Sequence, residues 1–413
     1  MSTPQSTSLD RRALLRGIGA LGALTFTSRP GLGASLSLAS GLPSSDAMGT
    51  LVLLQMSGGN DGLSMVVPFG DDAYYSSRMT IAHKKSDVLP LDEYRGLNKK
   101  LGGLRERFAK GEVAIIEGCG YPNPNRSHFK SMEIWHAGDP RGRAAGDGWI
   151  GRLSEVVWEE SKDPNRVIHV GATPPYSLES GAHPAASFAF PEGYRWVGTE
   201  GNMESYEGGE GAPKSSGSGS LLDALRGAYS AARESSSAVR KAALSYRPGV
   251  AYPDTNLGLA LGTAAALIQG GIGSRVLSVE LGGFDTHNRQ VTRHDALMKE
   301  LDEALAAFHA DIKGTPRGEE VTLMAFSEFG RRLVENGSKG TDHGVAGPML
   351  VMGKGVRGGL YGEHPSLTEL DKGDLVFTTD FRRVYGELAS SIFGAKSKDL
   401  FGKTYPRLGF LPT

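Results

Sequence analysis

Cysteine is almost absent: the 413 residues contain one, Cys119. No intrachain disulfide can therefore form, whatever the compartment, and Cys119 is expected to be a small buried hydrophobe. An excess of charge of either sign is missing too, since 45 Lys and Arg meet 46 Asp and Glu for a net charge of −1. That balance provides no electrostatic footprint for nucleic acid or for an anionic membrane surface. No apolar run approaches the roughly 20 residues that span a bilayer, so no stable membrane span is expected. Glycine is what the chain has in plenty: 58 residues, about twice the usual share of ~7%. It shows no three-residue period, which excludes a collagen-like repeat. Hydrophobic residues at 39% and charged residues at 22% suit a globular chain with a large core.

The N-terminus reads Ser8-Leu9-Asp10-Arg11-Arg12-Ala13-Leu14-Leu15-Arg16, followed by a mildly apolar stretch from Gly17 to Phe26 and by small residues near Gly33 and Ala34. Paired arginines ahead of a short apolar stretch match a twin-arginine export signal over residues 1–40. The expected partner is the twin-arginine export machinery, and the expected location is the periplasm or the outside of the cell. Proteins on that route usually cross already folded, often with a cofactor in place, which agrees with the lack of disulfides.

Beyond the signal, residues 48–413 read as a single domain. Short apolar runs at Leu51–Met56, Val113–Ile116, Val167–Val170, Val276–Val279, Val321–Phe326 and Met349–Met352 predict buried strands. Helical patterns run from Leu221 to Leu244, Leu257 to Ile268, Val291 to Ile312 and Phe381 to Phe393. Strands alternating with helices of this length predict an α/β fold with a mostly parallel central sheet flanked by helices. Around residues 200–220, a run of Gly, Ser and Glu predicts a flexible insertion.

Polar clusters follow the predicted strands, where an open α/β sheet places its ligands. In Gly58-Gly59-Asn60-Asp61-Gly62 the glycines allow a sharp bend that could aim Asp61 at the sheet edge, or the segment is a solvated turn. In Asn125-Arg126-Ser127-His128-Phe129, Ser127 either caps the helix that follows or serves as a hydroxyl nucleophile beside Arg126. In Gly282-Gly283-Phe284-Asp285-Thr286-His287, residues i and i+2 project to one side, so Asp285 and His287 can converge on one cation. His294 is expected on the exposed face of the next helix. In Phe326-Ser327-Glu328-Phe329-Gly330-Arg331-Arg332, Glu328 is a candidate oxygen ligand, and Arg331 or Arg332 could neutralise an anion. In Gly340-Thr341-Asp342-His343-Gly344, Asp342 is either a ligand or the acceptor that fixes the His343 tautomer. His364 is a further imidazole with no distinctive setting.

Together these motifs resemble an exported bacterial family labelled domain of unknown function 1501, grouped with the alkaline phosphatase superfamily. The resemblance implies an alkaline phosphatase-like fold and a two-metal site. It implies one metal on Asp285, His287 and a final His, for which His364 is the candidate, and another on Asp61, Asp342 and His343. Glu328 is a further candidate metal ligand. Ser127 looks like the nucleophile, with Arg331 holding the anionic group. Zinc or manganese is the implied cofactor, with magnesium or calcium at a second site. The expected function is hydrolysis of phosphate or sulfate esters, or of a related small anionic substrate. Two alternatives stay open: a non-catalytic metal-binding or cell-envelope protein that retains the fold, and a Ser–His esterase using Ser127 with His343 or His287.

Overall fold

The computed structural model describes residues 49–161, 163–195 and 221–413. The expected export signal over residues 1–40 and the expected insertion around residues 200–220 lie outside the described residues.

Strand β1 (Thr50–Met56) is buried along its whole length, as an apolar run must be when helices cover both sheet faces. Its alternate residues serve two separate cores. Val52, Leu54 and Met56 face one, and Leu51 and Leu53 face the other, the period-two division of a pleated strand. The remaining strands of the main sheet, in chain order, are β2 (Val113–Gly120), β3 (Val167–Val170), β4 (Ala186–Phe188), β5 (Val276–Leu281) and β6 (Val321–Phe326). After an excursion through a small hairpin of β7 (Arg331–Glu335) and β8 (Thr341–His343) come β9 (Gly347–Gly353), β10 (Gly359–Tyr361) and β11 (Thr379–Asp380).

The sheet order is β10-β2-β9-β6-β1-β5-β3-β4, with β11 also paired to β2, nine strands in all. Every strand but β9 runs in the direction of β1; β9 lies antiparallel between β6 and β2. The reason is the connection. A parallel return needs a crossover element, usually a helix, and between β6 and β9 there is only the β7–β8 hairpin. The fold is thus the expected mostly parallel α/β sheet, flanked by helices. The expected strands form at their expected places. Three short strands (β4, β10 and β11) and the hairpin are additions that no apolar run announced.

Helices cover both faces. On the Val52 face pack α1 (Gly102–Ala109), α5 (Asn256–Gly270) and α6 (Gln290–Ile312), with Leu104, Leu261, Ala265, Met298, Leu305 and Phe308 in the core. On the Leu51 face pack α2 (His128–Ala137), α3 (Trp149–Val157) and α7 (Phe381–Phe393), with Trp135, Trp149, Leu153, Phe381, Tyr385 and Phe393. Helix α4 (Leu221–Ser245) completes the set, packing against α5.

Cys119 is buried, as expected, and burial pushes its thiol well above its ordinary range. His294 departs from expectation. It is fully buried in α6, with Nε2 2.9 Å from the Asn60 Oδ1. The helical turn from Gln290 puts it on the inner stripe with Met298 and Leu301, and burial holds its imidazole down near 4.

Candidate metal centre

Because β1, β2, β5 and β6 share one direction, the segments that follow them all emerge at one edge of the sheet. Those segments carry Gly58 to Asp61, Arg126 to His128, Asp285 to His287, and Ser327 to Arg331. Their close approach requires glycine. Gly58 has φ +120°, and a Cβ there would fall 2.4 Å from the Asp285 backbone N; a Cβ at Gly340 would fall 2.2 Å from the His287 carbonyl carbon.

Three imidazoles gather around the Asp285 carboxylate. The Nε2 atoms of His287, His343 and His128 lie 3.0, 3.2 and 3.6 Å from Asp285 Oδ1. Each ring is held from behind through Nδ1. His128 Nδ1 lies 2.8 Å from Glu328 Oε1, His343 Nδ1 2.8 Å from the Arg126 carbonyl O, and His287 Nδ1 3.3 Å from Asp342 Oδ1. A carbonyl or an ionised carboxylate can only accept, so a ring that keeps its proton on Nδ1 has its Nε2 lone pair free for a cation. The His287 and His343 Nε2 atoms then face each other at 2.9 Å. Two lone pairs at that distance repel unless a proton or a cation lies between them. The His128 Nε2 is buried and has no hydrogen-bond partner.

The electrostatics follow from these partners. The hydrogen bond to Glu328 raises the His128 pKa above its ordinary value, overcoming burial. Burial lowers that of His343, partly offset by the Arg126 carbonyl. For Asp285, partial burial pushes the carboxyl up, but hydrogen bonds from Arg331 and His343 prevail and hold it at about 2. Asp342 is lowered, first by the Asn336 amide.

The remaining expected site residues fall elsewhere or take other parts. Glu328 is buried behind His128, accepting also from the Gly58 N–H at 2.9 Å, so it orients a ring rather than facing the centre. Asp342 does the same for His287. Asp61 is fully enclosed, gripped by Arg78 through Nη1 at 2.6 Å and Nη2 at 3.0 Å. It also caps the one-turn helix Gly62–Met65 by accepting from the Leu63 N–H. It cannot offer a free oxygen to a second cation. His364 lies against Tyr94, ring centroids 5.4 Å apart, and burial holds it near 4; it makes no contact with the centre. The two-centre division implied by the resemblance does not assemble around these side chains.

Arg331 is fully buried, with its guanidinium donating to the carbonyls of Gly58, Gly59, Phe284 and Thr341 and to Asp285 Oδ1. It clamps loops together and has no face left for a substrate. Ser127 stands at the N-terminus of α2, exposed, and its hydroxyl does not cap the helix. Sequence reasoning missed His128 as a ligand, although it sits in the quoted Arg126-Ser127-His128 segment. No sequence signal pointed to it: that Glu328 is too buried to be solvated, and so needs a partner such as an imidazole, emerges only in the fold.

Among groups of His, Cys, Asp and Glu in the described residues, His128, Asp285 and His343 bring ligand atoms within 4.8 Å of one another. His287 adjoins two of them. Comparison with known proteins gives three results. No curated protein matches. A crystal structure of a protein in the alkaline phosphatase superfamily from Vibrio parahaemolyticus aligns at 11% identity and a TM-score of 0.36, covering 87% of this chain and 72% of that one. Residues 227–382 match the family described as Protein of unknown function (DUF1501). Asp285, His287, Glu328, Asp342 and His343 all lie within that stretch, while Ser127 and His128 precede it, so the match to the family expected from the motifs covers the region that carries most of the centre.

Proposed function

We propose that the chain is a metal-dependent hydrolase of phosphate or sulfate esters, or of a related small anionic substrate. One divalent cation would be held by His128, Asp285 and His343, with His287 beside them. The observation that carries the reading is the convergence of three Nδ1-anchored imidazoles on one carboxylate, with a buried Nε2 left unpartnered. Imidazole nitrogen with carboxylate oxygen suits zinc or manganese better than magnesium or calcium. When bound, such a cation supplies Lewis-acid polarisation of an ester oxygen and lowers the pKa of a nearby hydroxyl or water.

The chain's own residues supply the rest. Ser127 is the nucleophile, its hydroxyl free and its position flanked by the Arg126 carbonyl and the His128 ring, both of which belong to the centre. The N-terminus of α2 favours an anion there. Because Arg331 is occupied, the anion-holding role passes to Arg332. Arg332 is half-buried in β7, its charge close enough to help lower the Asp342 carboxyl, and it has no side-chain hydrogen bond or ion pair among the described residues. Export by the twin-arginine route belongs to the same proposal and rests on Arg11 and Arg12. No helix among the described residues is long and apolar enough to cross a membrane.

The test is metal analysis of protein purified from its native host, with 4-nitrophenyl phosphate and 4-nitrophenyl sulfate turnover measured before and after chelation. Near-stoichiometric zinc or manganese and chelator-sensitive turnover are expected. Metal bound without turnover of either ester would sink the hydrolase reading in favour of a binding protein, and chelator-resistant turnover would favour the Ser–His esterase. Ser127→Ala should lower turnover by about three orders of magnitude while leaving metal content unchanged; undiminished hydrolysis would remove Ser127 from the mechanism. Glu328→Gln should weaken metal affinity by about 10–100-fold, the usual cost of losing a carboxylate that orients a ligating imidazole. Competition with a chromogenic chelator measures it, and unchanged affinity would deny Glu328 that part.

A further inference from the structure

Among the described residues, left-handed backbone falls almost wholly on glycine; the other residues that adopt it are Asn123, Arg289, Lys339 and Lys372. Glycine enters that region without steric cost, whereas a long side chain is strained there. Such strain persists only where the surroundings impose it, and it gathers at functional sites. Arg289 (φ +44°), just ahead of α6, and Lys339 (φ +58°), in the turn between β7 and β8, stand side by side. The Arg289 N–H donates to the Ser338 carbonyl at 3.2 Å, and the Gln290 N–H donates to the Lys339 carbonyl at 2.9 Å. Both flank His287. Two residues of chain, at most about 7 Å, separate it from Arg289, and Lys339 precedes Gly340, which abuts the His287 carbonyl.

The centre is open on this side: the side chains of His287, Asp285 and Asp342 are 39%, 49% and 60% exposed. Arg289 and Lys339 are exposed too, and neither side chain has a hydrogen bond or ion pair among the described residues. The neighbouring carboxylates are already engaged. Asp342 accepts from the Asn336 amide at 3.1 Å, Glu335 from the Thr80 and Ile81 N–H groups at 3.0 Å, and Asp295 from the Asn98 amide at 2.9 Å. Two free cations are thus held at the mouth of the centre, at a backbone cost that glycine would avoid. We infer that Arg289 and Lys339 form a subsite for a second anionic group, a carboxylate or a phosphate, which the substrate carries beyond its ester phosphate or sulfate. The inference rests on the hydrolase reading above, in which Arg332 holds the ester group. The second anion then meets a guanidinium fork and an ammonium, both of which form charge-assisted hydrogen bonds with such oxygens.

Isothermal titration calorimetry of the full chain, purified with its metal, against 3-phosphoglycerate and glycerol 3-phosphate tests this. The two probes are alike in size and in their phosphate, and only the first adds a carboxylate. It is expected to bind at least about tenfold more tightly, with an advantage that shrinks as salt rises. Arg289→Asn and Lys339→Asn remove a charge and leave a side chain that tolerates left-handed backbone. Each should cut the advantage several-fold and the pair should abolish it, with a urea midpoint no lower than the parent's. Equal affinity of the parent for both probes, or an advantage that survives both substitutions, would overturn the subsite and leave the hydrolase reading standing. Binding of neither probe would overturn that reading and the subsite with it.

Discussion

Replacing His128 with alanine is expected to strip the protein of its divalent metal and to reduce ester turnover to background. His128 brings the one imidazole nitrogen in the cluster that is buried and unpartnered, so its removal takes away a ligand and leaves Glu328 enclosed without the proton it now accepts. Losing an orienting partner costs roughly 10–100-fold in metal affinity; loss of a ligand itself should exceed that, above about 100-fold. The comparison variant is His364→Ala. Its imidazole packs on Tyr94 away from the centre, so its metal content and turnover should match the parent. Metal content by mass spectrometry and affinity by chelator competition give the readout. A His128→Ala protein that retains full metal content would refute the assignment, as would a His364→Ala protein that loses it.

The contrast between His128 and His364 also shows how far the sequence reaches. Strand and helix positions were legible because their signals are local: Leu51 to Met56 is apolar at every position but Gln55, and Gln290 to Ile312 carries a helical stripe. The cluster was legible in outline because the polar segments follow strands that share a direction, so Asp285, His287, His343 and Glu328 were named in advance. Their division of labour was not legible. Whether a carboxylate ligates or orients depends on which atom sits behind which ring, across 200 residues in the case of His128 and Glu328. Arg331 and Asp61 mislead for the same reason. A charged residue just after a strand looks functional in a sequence, yet each of these is spent on a partner that only the tertiary fold supplies: Arg78 for Asp61, and four carbonyls with Asp285 for Arg331. The antiparallel course of β9 was hidden by an excursion whose short strands carry no clean period.

The Asp61–Arg78 pair should make the largest single contribution to stability near the centre. Both side chains are fully buried. Arg78 also donates to the Leu333 carbonyl at 2.8 Å and the Arg332 carbonyl at 2.9 Å, which ties the β7–β8 hairpin to the loop after β1. Asp61 accepts in addition from Ser64 and Gln290, and the Gln290 Oε1 accepts from the hydroxyls of Thr286 and Thr341, neighbours of Asp285 and Asp342. Arg78→Met is expected to cost about 3–5 kcal/mol, the penalty for stranding a buried charge. It would be read as a lower urea midpoint at unchanged slope, and Asp61→Leu in the same chain should restore much of it. The pH dependence separates this account from simple loss of packing. Burial alone would raise the Asp61 carboxyl, but Arg78 prevails and holds it at about 2, below its ordinary 3.8. Its contribution is therefore complete above pH ~4 and is lost as pH falls toward 2, roughly 2–3 kcal/mol in all. Without Arg78, burial is left to raise the same carboxyl, so protonation becomes favourable in the folded state and acid relieves the variant. The stability gap between parent and Arg78→Met should thus narrow steadily as pH drops from 7 to 3; a gap that stays constant would mean that Arg78 acts through packing rather than through its charge.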